Sequence, residues 1–500
     1  MKRRLLRTAV IAVWLVMAAW LARYEAFPEY FSRRLDGYRS LIRRDVLMDD
    51  AWMRILFNGS PIGYSHSSLE VNEGSVARQY RLENRTELRL KLLGETQRVA
   101  ADTEAHLDAL CALREFSFAL TAGAYRLRLK GVRAEGQRFR VALRAGESAQ
   151  HLTVEIPDDV VLYAPLVELA VRRLRPGQAL TLRTFDPATL ATAPLTIRAL
   201  RREPLALGGR SEEALVVATE YQGAAFLAWL DAEGRVLREE TPFGWTLERC
   251  TAEEAFAALA AGGAAQDLLR GLAVKCQGRV RDPARPLRLR LSGVSFRPEE
   301  LASERQAVER WDAAAAEVRL LPATPPARPD AAVAGPELAA FLASTPLVQS
   351  DHPEIVDAAR RIVGARTGAW EKAEALCDWV YANVRKEMTV SLPSALDVLR
   401  TRRGDCNEHT VLFAALARAA GLPAKIRVGL AHHEEAFYYH AWPAVWVGEW
   451  VELDPTWGQR TVDAAHLGLA EGELSDQLAL LKVLGRLAIR VLEETDGETP

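Results

Sequence analysis

The sequence predicts an α+β protein. A mostly antiparallel β domain precedes a C-terminal domain of helices packed on an antiparallel sheet, and a membrane helix begins the chain. Three patterns predict this class. Residues 49–247 hold short runs in which apolar and polar residues alternate, the period of half-buried strands. Beyond residue 338, apolar residues recur at helical spacing ahead of further strand-like runs. The first 30 residues hold a basic start and an apolar run.

Length and composition indicate several globular domains. At ~150 residues per domain, 500 residues suggest about three units. The chain is 49% hydrophobic and 26% charged, as in ordinary globular proteins. Lys and Arg total 64 against 66 Asp and Glu, so no basic excess exists to hold a phosphate backbone, and we expect no nucleic-acid partner. Five cysteines without a CxxC pair do not make a disulfide framework.

Residues 1–30 are interpreted as a signal-anchor that binds the chain to the membrane. Four basic residues among the first seven precede an apolar run from Ala9 to Ala22. Because such basic residues stay in the cytoplasm, we expect a single-pass protein of the inner membrane with its bulk in the periplasm. A helix of this length rises only ~21 Å, so a cleaved signal sequence and a buried helix remain alternatives.

The remaining chain divides by composition. We predict a β-rich domain over 45–300, whose hairpin turns include Asn58-Gly59. A helical and Pro-rich linker follows over 301–337, because prolines stiffen the chain and remove hydrogen-bond donors. The C-terminal domain covers 338–492, and residues 493–500 form an acidic tail.

The C-terminal domain is predicted in more detail. Gly421 and Pro423 end its last helix, and Gly448-Glu449 reads as a two-residue hairpin turn. The predicted helices are 353–363, 370–384, 394–399 and 406–421, and the predicted strands are 424–430, 438–447 and 450–453.

Three polar residues occupy positions that suit nucleophilic catalysis. Cys406 begins a helix, where unpaired N–H groups favour a thiolate and can hold an oxyanion. His440 lies near the start of a strand and could take the thiol proton. Asp454 ends the next strand and could hold the far ring nitrogen of the histidine. Gly404 allows a tight turn before the cysteine.

This order of residues resembles the transglutaminase-like superfamily, which is related to papain-type proteases. The resemblance runs from about residue 373 to 459 and implies Cys406 as nucleophile, His440 as base and Asp454 as orienting residue. It also implies a papain-like fold and no cofactor or metal. The motifs that carry it are Arg403-Gly-Asp-Cys-Asn-Glu-His-Thr410, Gly421-Leu-Pro-Ala-Lys-Ile-Arg-Val-Gly429, His440-Ala-Trp442 and Leu453-Asp-Pro-Thr456.

One position departs from the pattern. Papain-like enzymes carry a glutamine six residues before the nucleophile as second oxyanion donor, and here that residue is Arg400. The second donor is therefore unassigned, with Trp370, Trp379 and Tyr381 as candidates.

Several other residues are assigned ordinary roles. His409 is expected on the helix surface, with a place in the pocket as the alternative. His432 and His433 are expected in a solvated loop, because no third metal ligand stands at a matching spacing. The tryptophans near the hairpin are expected to pack in the core, with walls of a substrate cleft as the alternative. They are Trp442, Trp446, Trp450 and Trp457.

Hairpin geometry makes a sharper prediction. A two-residue turn places Asp454 opposite Pro443, so that Asp454 and His440 project from opposite faces. One extra residue restores the parity, and we predict a bulge, or an equivalent break in the ladder, between Ala441 and Ala444. We also predict a hydrogen bond of ~2.7–3.0 Å from Asp454 to the ring nitrogen of His440 that faces away from Cys406.

These features predict a thiol enzyme that attacks peptide or glutamine-type amide bonds of a peptide or protein substrate through a thioester. Hydrolysis is favoured over cross-linking. The alternative is a non-catalytic binding or scaffold module that retains the fold.

Overall fold

The structure is a computed structural model. It describes residues 48–492 apart from 74–77, 93, 109–111, 147, 163–173, 188–189, 222–223, 243, 262–266, 328–335, 392–393, 473–479, 481–482 and 484. The predicted membrane anchor, residues 1–30, and the acidic tail, residues 493–500, lie outside the described residues.

A single 15-stranded sheet occupies the first half of the chain. Its strands are β1 (Met48–Phe57), β2 (Ser60–Glu73), β3 (Arg78–Leu92), β4 (Glu95–Leu107), β5 (Leu113–Ala122), β6 (Tyr125–Arg133), β7 (Arg138–Ala145), β8 (Ser148–Glu155), β9 (Val160–Leu162), β10 (Ala179–Asp186), β11 (Ala191–Leu207), β12 (Arg210–Tyr221), β13 (Ala224–Leu230), β14 (Val236–Glu240) and β15 (Trp245–Arg249). Strands adjacent in sequence pair with one another except β8 and β9, which form the two edges of the sheet. β1 pairs with β15 in the middle, and β9–β10 is the parallel pair.

The inner face of this sheet is apolar because buried and exposed residues alternate along its strands. Along β6 and β7 every second residue is buried, as expected for strands with one wet face. The sheet curls until Phe116 of β5 meets Phe185 of β10, with ring centroids 5.3 Å apart. Gly131 leaves room for the Phe116 ring, because an added Cβ would lie 2.1 Å from it. One apolar core therefore fills the inside of the curled sheet.

A second sheet, of nine strands, follows. Its strands are β16 (Val274–Gln277), β17 (Leu287–Ser292), β18 (Gln306–Trp311), β19 (Ala315–Leu320), β22 (Ala424–His433), β23 (Ala436–Trp446), β24 (Trp450–Glu452), β25 (His466–Glu471) and β26 (Ala488–Leu492), while β20 (Arg385–Lys386) and β21 (Arg403–Gly404) form a separate pair. The helices are α1 (Ala252–Ala261), α2 (Leu268–Leu272), α3 (Pro298–Leu301), α4 (Pro353–Val363), α5 (Ala369–Asn383), α6 (Ala395–Thr401) and α7 (Cys406–Ala419), with a 3-10 helix at Pro336–Phe341.

Helix α7 is the centre of the C-terminal core. Its residues 408–418 are all buried, so the helix is enclosed on every side rather than half-exposed. It packs against α4, α5, α6 and the sheet, and their apolar residues form one core with it. The helix stops before Gly421, whose φ of +80° suits glycine.

Strands from 274–320 join the C-terminal sheet. Val274 of β16 pairs with Phe437 of β23, and β17 pairs with β19 and β26. Leu289 and Leu320 share a core with Phe437 and Leu467. Residues far apart in sequence therefore build one apolar layer behind β22 and β23.

The predicted α+β class is wrong. Strands make up 52% and helices 19% of the structure, which is mostly β. The predicted helices over 338–421 are present, but the first sheet and the strands of 274–320 outweigh them. Within the described residues, which do not include the predicted N-terminal membrane helix, no helix has the length and apolarity needed to cross a membrane.

Candidate active site

Cys406 is the first residue of α7, and the residues around it fix the turn into the helix. The Asp405 carboxylate accepts the N–H of Asn407 at 2.9 Å, and the Glu408 carboxylate accepts the N–H of Asp405 at 2.8 Å. An added Cβ at Gly404 would lie 2.3 Å from the Glu408 side chain, so glycine is required there. Because the first N–H groups of a helix lack intrahelical partners, the Cys406 N–H can serve as an oxyanion donor.

The electrostatics of Cys406 favour the thiol over the thiolate. Burial raises the pKa of Cys406 well above its usual value, and the charge of Asp405 raises it further. The N–H of Ala441 acts in the opposite direction. The helix start favours a thiolate, but burial and the neighbouring carboxylates act in the opposite direction and raise the pKa of the thiol overall.

His440 lies on β23, beside the start of α7. The Thr410 hydroxyl, one turn after Cys406, donates to the carbonyl of Ala441 at 3.0 Å and ties the helix to this strand. The His440 Nε2–H donates to Oδ2 of Asp454 at 2.7 Å, so Nδ1 is the ring nitrogen left for the thiol. Trp457 stacks on the ring, with centroids 4.6 Å apart.

Asp454 has every lone pair in use. It is 0% exposed, and Oδ1 accepts the N–H groups of Thr456 at 2.7 Å and Trp457 at 3.2 Å. Its Oδ2 faces His440 and His466. Burial acts to raise the pKa of Asp454, but the two histidines hold it well below its usual range. The carboxylate therefore stays ionised.

The hairpin brings Asp454 to His440 by a different route from the predicted one. Trp446 pairs with Trp450 and Ala444 with Glu452, so the turn has three residues, 447–449, rather than two. The ladder between β22 and β23 runs without a register shift. The predicted bulge between Ala441 and Ala444 is wrong, because the extra residue lies in the turn. The predicted hydrogen bond is confirmed at 2.7 Å.

His466 is a site residue that the sequence analysis missed. It lies on β25, is 0% exposed, and directs Nε2 to Asp454 at 3.4 Å and Nδ1 to Asp463 at 2.9 Å. The available signal was a lone histidine in an apolar strand with an aspartate three residues earlier, because a buried imidazole needs polar partners.

A buried ion cluster behind the site was missed as well. Glu452 accepts hydrogen bonds from Arg305 at 2.6 Å and from the indole of Trp442 at 2.7 Å, and Arg427 lies 3.5 Å away. Burial acts to raise the pKa of Glu452, yet the two guanidinium groups lower it to about 2. Trp442 faces His440 with ring centroids 6.0 Å apart, so this cluster supports the wall of the site.

Other candidates have structural surroundings. His409 is fully buried, and its ring nitrogens face the carbonyls of Asp405 at 2.6 Å and Val384 at 3.2 Å, so the expected surface position is wrong. Arg400 forms an ion pair with Glu354.

The three aromatic candidates for the second oxyanion donor all lie on α5. Trp370 is buried in the core. Trp379 lies under the guanidinium of Arg402, 4.3 Å from the ring centroid, and Tyr381 covers Gly458. None of these contacts identifies a second oxyanion donor.

Of the remaining predictions for aromatic residues and histidines, some are confirmed and others are not. Trp442 is fully buried, which confirms core packing for that residue, whereas Trp457 lines the site against His440. His432 and His433 end β22 rather than lying in a loop, and His433 is exposed beside Trp457.

Three side chains have the ligand types of a metal site. One ligand atom each from His440, Asp454 and His466 lies within 4.8 Å of the others. Zinc ligands at ~2.05 Å in a tetrahedron are about 3.3 Å apart, whereas Nε2 of His440 and Oδ2 of Asp454 are 2.7 Å apart. That separation is a hydrogen bond, so the geometry favours a proton-sharing network over a metal centre.

A cysteine-led helix packed on an antiparallel sheet that carries a paired histidine and aspartate is an arrangement that supports a thiol enzyme family. Residues 356–455 match the family model of the transglutaminase-like superfamily. This part of the chain is a transglutaminase-like domain, and the suspected family is confirmed. No curated protein sequence matches the chain.

Solved structures give weak likenesses. One is a "putative cysteine protease" from Cytophaga hutchinsonii, at 18% identity and a TM-score of 0.29, covering 44% of this chain and 82% of that one. Another is the periplasmic domain of TgpA from Pseudomonas aeruginosa bound to ethylmercury, at 17% identity and 0.26, covering 38% and 76%. A β-barrel-like protein from Brucella abortus gives 12% and 0.28, covering 41% and 96%. At these scores the likenesses carry no argument about activity.

Proposed function

We propose that the protein is a thiol enzyme that acts on peptide or glutamine-type amide bonds of a peptide or protein substrate. Cys406 is its nucleophile, His440 its base and Asp454 its orienting carboxylate. The observation that carries the proposal is the 2.7 Å hydrogen bond from His440 to a buried, ionised Asp454, on a strand tied to the first turn of α7. This pairing fixes the histidine tautomer that a cysteine nucleophile requires.

The pKa of Cys406 is raised, so the thiol has to lose its proton during the attack. As Sγ attacks the carbonyl carbon, the thiol proton moves to Nδ1 of His440 and the Cys406 N–H donates a hydrogen bond to the developing oxyanion. Asp454 stabilises the imidazolium. The proton then passes to the leaving amine, the C–N bond breaks, and a thioester remains on Cys406.

The acceptor decides the product. Water gives hydrolysis or deamidation, and a primary amine gives a cross-link. We favour water, because cross-linking needs a second binding surface for the amine, whereas a water molecule needs none.

The test is a comparison of three assays on one protein substrate such as casein. They measure peptide fragments, released ammonia and incorporation of a fluorescent primary amine. We expect Cys406→Ala to remove the activity and Cys276→Ala, a matched change at another free cysteine, to retain it. Activity that survives in Cys406→Ala would refute the assignment.

The alternative is a scaffold that retains the fold without catalysis. The raised pKa of Cys406 and the unassigned second oxyanion donor favour it. Alkylation of Cys406 by iodoacetamide distinguishes the two functions. If the protein is an enzyme, alkylation of Cys406 should be slower in His440→Ala than in the wild type, with the other cysteines unaffected. If it is a scaffold, Cys406 should be alkylated at the same rate in the wild type and in His440→Ala.

We also propose that the chain acts outside the cytoplasm, because basic residues precede the apolar run of Ala9 to Ala22. A C-terminal reporter that is active only in the cytoplasm should be silent. A strong reporter signal would contradict this location.

A further inference from the structure

His466 is bracketed by two carboxylates. Its Nδ1 lies 2.9 Å from Oδ1 of Asp463, and its Nε2 lies 3.4 Å from Oδ2 of Asp454. A neutral imidazole has one N–H and one lone pair, and a lone pair directed at a carboxylate oxygen is repulsive. Both contacts are favourable only when the ring carries two protons. The surrounding charges therefore favour an imidazolium at this position.

The ring cannot turn away from these partners. Trp442 and Trp457 each contact it at centroid distances of 5.2 Å, and His440 contacts it at 5.7 Å. Arg305 donates to the carbonyl of His466 and so fixes the backbone as well. His466 is completely buried, so a carboxylate left without a positively charged partner beside it would cost free energy of folding.

We propose that His466 is a positioning residue of the active site, an imidazolium that holds Asp454 ionised and directed at His440. This inference rests on the proposed function for its catalytic consequence, but not for its protonation state. His466 shares Oδ2 of Asp454 with His440, so one carboxylate oxygen is held from two sides.

The charge balance gives the physical role. Asp454 and Asp463 carry two negative charges in a buried region, and His466 supplies one positive charge between them. Burial acts to lower the pKa of His466, yet hydrogen bonds to Asp454 and Asp463 raise it. With its charge partly compensated by His466, Asp454 remains an ionised carboxylate directed at His440.

The direct test needs no substrate. Nitrogen-15 chemical shifts of the histidine rings report which ring nitrogens carry protons. The His466 signals can be assigned by their loss in His466→Gln. We expect both nitrogens of His466 to be protonated at pH 7 and pH 8 in the wild-type protein. A single neutral tautomer at pH 7 would overturn the proposal, whatever the protein catalyses.

Two amide variants test the catalytic consequence. Glutamine places its donor near Nε2 and keeps the contact with Asp454, whereas asparagine places its donor near Nδ1 and keeps only the contact with Asp463. We expect His466→Asn to reduce kcat/KM about ten- to a hundredfold, as is typical when a residue that supports an active-site side chain is lost. We expect His466→Gln to reduce kcat/KM less. Equal losses in the two variants would indicate a packing role only and overturn the proposal.

The pH profile gives a readout that packing alone does not change. Both variants remove a positive charge near His440, which makes the imidazolium of His440 more stable. The acidic limb of kcat/KM should therefore move to higher pH by about one unit in both. An unmoved limb would contradict the proposal. Titration with Zn²⁺ that shows tight binding lost in His466→Gln would also overturn it, because the cluster would then be a metal site.

If no activity is found with Cys406 intact, the proposed function fails while the nitrogen shifts still decide the state of His466. If activity depends on Cys406 but His466 is neutral, only this inference fails.

Discussion

At the scale of single residues, Cys406 combines a reactive position with modest electrostatic activation. Its place at the start of α7 exposes backbone donors, but burial and Asp405 raise the pKa of the thiol. A nucleophile in this state depends on His440 to remove its proton during attack. Two substitutions test these features separately: one removes the thiol of Cys406, and the other removes the charge of Asp405.

Cys406→Ala should abolish activity and leave the fold intact. The side chain is partly exposed at a helix start and contributes little core volume, so the free energy of unfolding should fall by no more than about 1 kcal/mol. Urea unfolding measures the stability, with Cys377→Ala as the contrast, because Cys377 is fully buried in the core and its loss should destabilise more. Wild-type turnover in Cys406→Ala would end the nucleophile assignment.

Asp405→Asn should lower the pKa of Cys406. The change removes the carboxylate whose charge raises the pKa of the thiol. Burial and Glu408 raise the pKa of Asp405 itself, so the effect belongs to pH values at which Asp405 is ionised. Asparagine still caps α7 through its side-chain oxygen. The rate of iodoacetamide labelling at Cys406, followed by mass spectrometry across pH, should reach half its maximum at lower pH than in the wild type. Asp357→Asn, on the exposed face of α4, serves as control and should leave the profile unchanged. An unshifted profile in Asp405→Asn would show that the charge of Asp405 does not contribute to the raised pKa.

At the scale of elements, the buried ion cluster connects β22, β24 and the segment before β18. Glu452 has a pKa lowered to about 2 from 4.5. A carboxylate with a depressed folded pKa contributes stability above its unfolded pKa. That contribution is lost as pH falls toward the folded value, and it amounts to about 3 kcal/mol in full.

Glu452→Gln should therefore lower stability near neutral pH and flatten its acid dependence. Removing one partner of a buried ion pair costs about 3–5 kcal/mol, because Arg305 and Arg427 keep their charges. Urea unfolding at pH 7, 5, 4 and 3 gives both quantities. We expect the difference in unfolding free energy between wild type and variant to shrink below pH 4.5. A constant difference would exclude Glu452 as a source of acid sensitivity.

The hairpin of β23 and β24 shows how small a change controls the site. A strand has a side-chain period of two, so one residue more or less in its turn exchanges the faces of everything beyond it. The three-residue turn over 447–449 places Asp454 on the face of His440. Turn length, rather than ladder regularity, is the feature that assembles the pair.

At the scale of the whole molecule, the proposed division into a β-rich domain over 45–300 and a C-terminal domain over 338–492 can be tested by truncation. The pairing of β16–β19 with the C-terminal sheet bears on it directly. Leu289 and Leu291 of β17 are 0% exposed in a core shared with Leu467.

A chain of residues 268–500 should fold, and a chain of residues 338–500 should not. The shorter chain lacks β16–β19 and so exposes the apolar layer behind β22 and β23, which promotes aggregation. Soluble yield and a cooperative thermal transition distinguish the two, with the full-length protein as reference. Equal folding of both chains would place the domain boundary near 338, as the sequence suggested.

The residues of the candidate site could be located from the sequence because they lie in local motifs. The helix start at Cys406, the strand at His440 and the turn at Asp454 each have a short signature, and the described helices and strands of this region lie close to the predicted ones. The catalytic roles of these residues remain a prediction, and the hydrogen bond between His440 and Asp454 is confirmed.

What the sequence by itself determined is the order of the main helices and strands over 353–453, the family of the domain over 356–455 and the three residues proposed for catalysis. What only the tertiary structure decided is the strand-rich class, the joining of 274–320 to the C-terminal sheet, and the positions of His466 and Glu452. The physical reason is the separation in sequence of the residues that interact. Periodicity and turn signals report on neighbours in the chain, whereas strand pairing, burial and the pairing of buried charges depend on residues brought together across more than a hundred positions, such as Arg305 and Glu452.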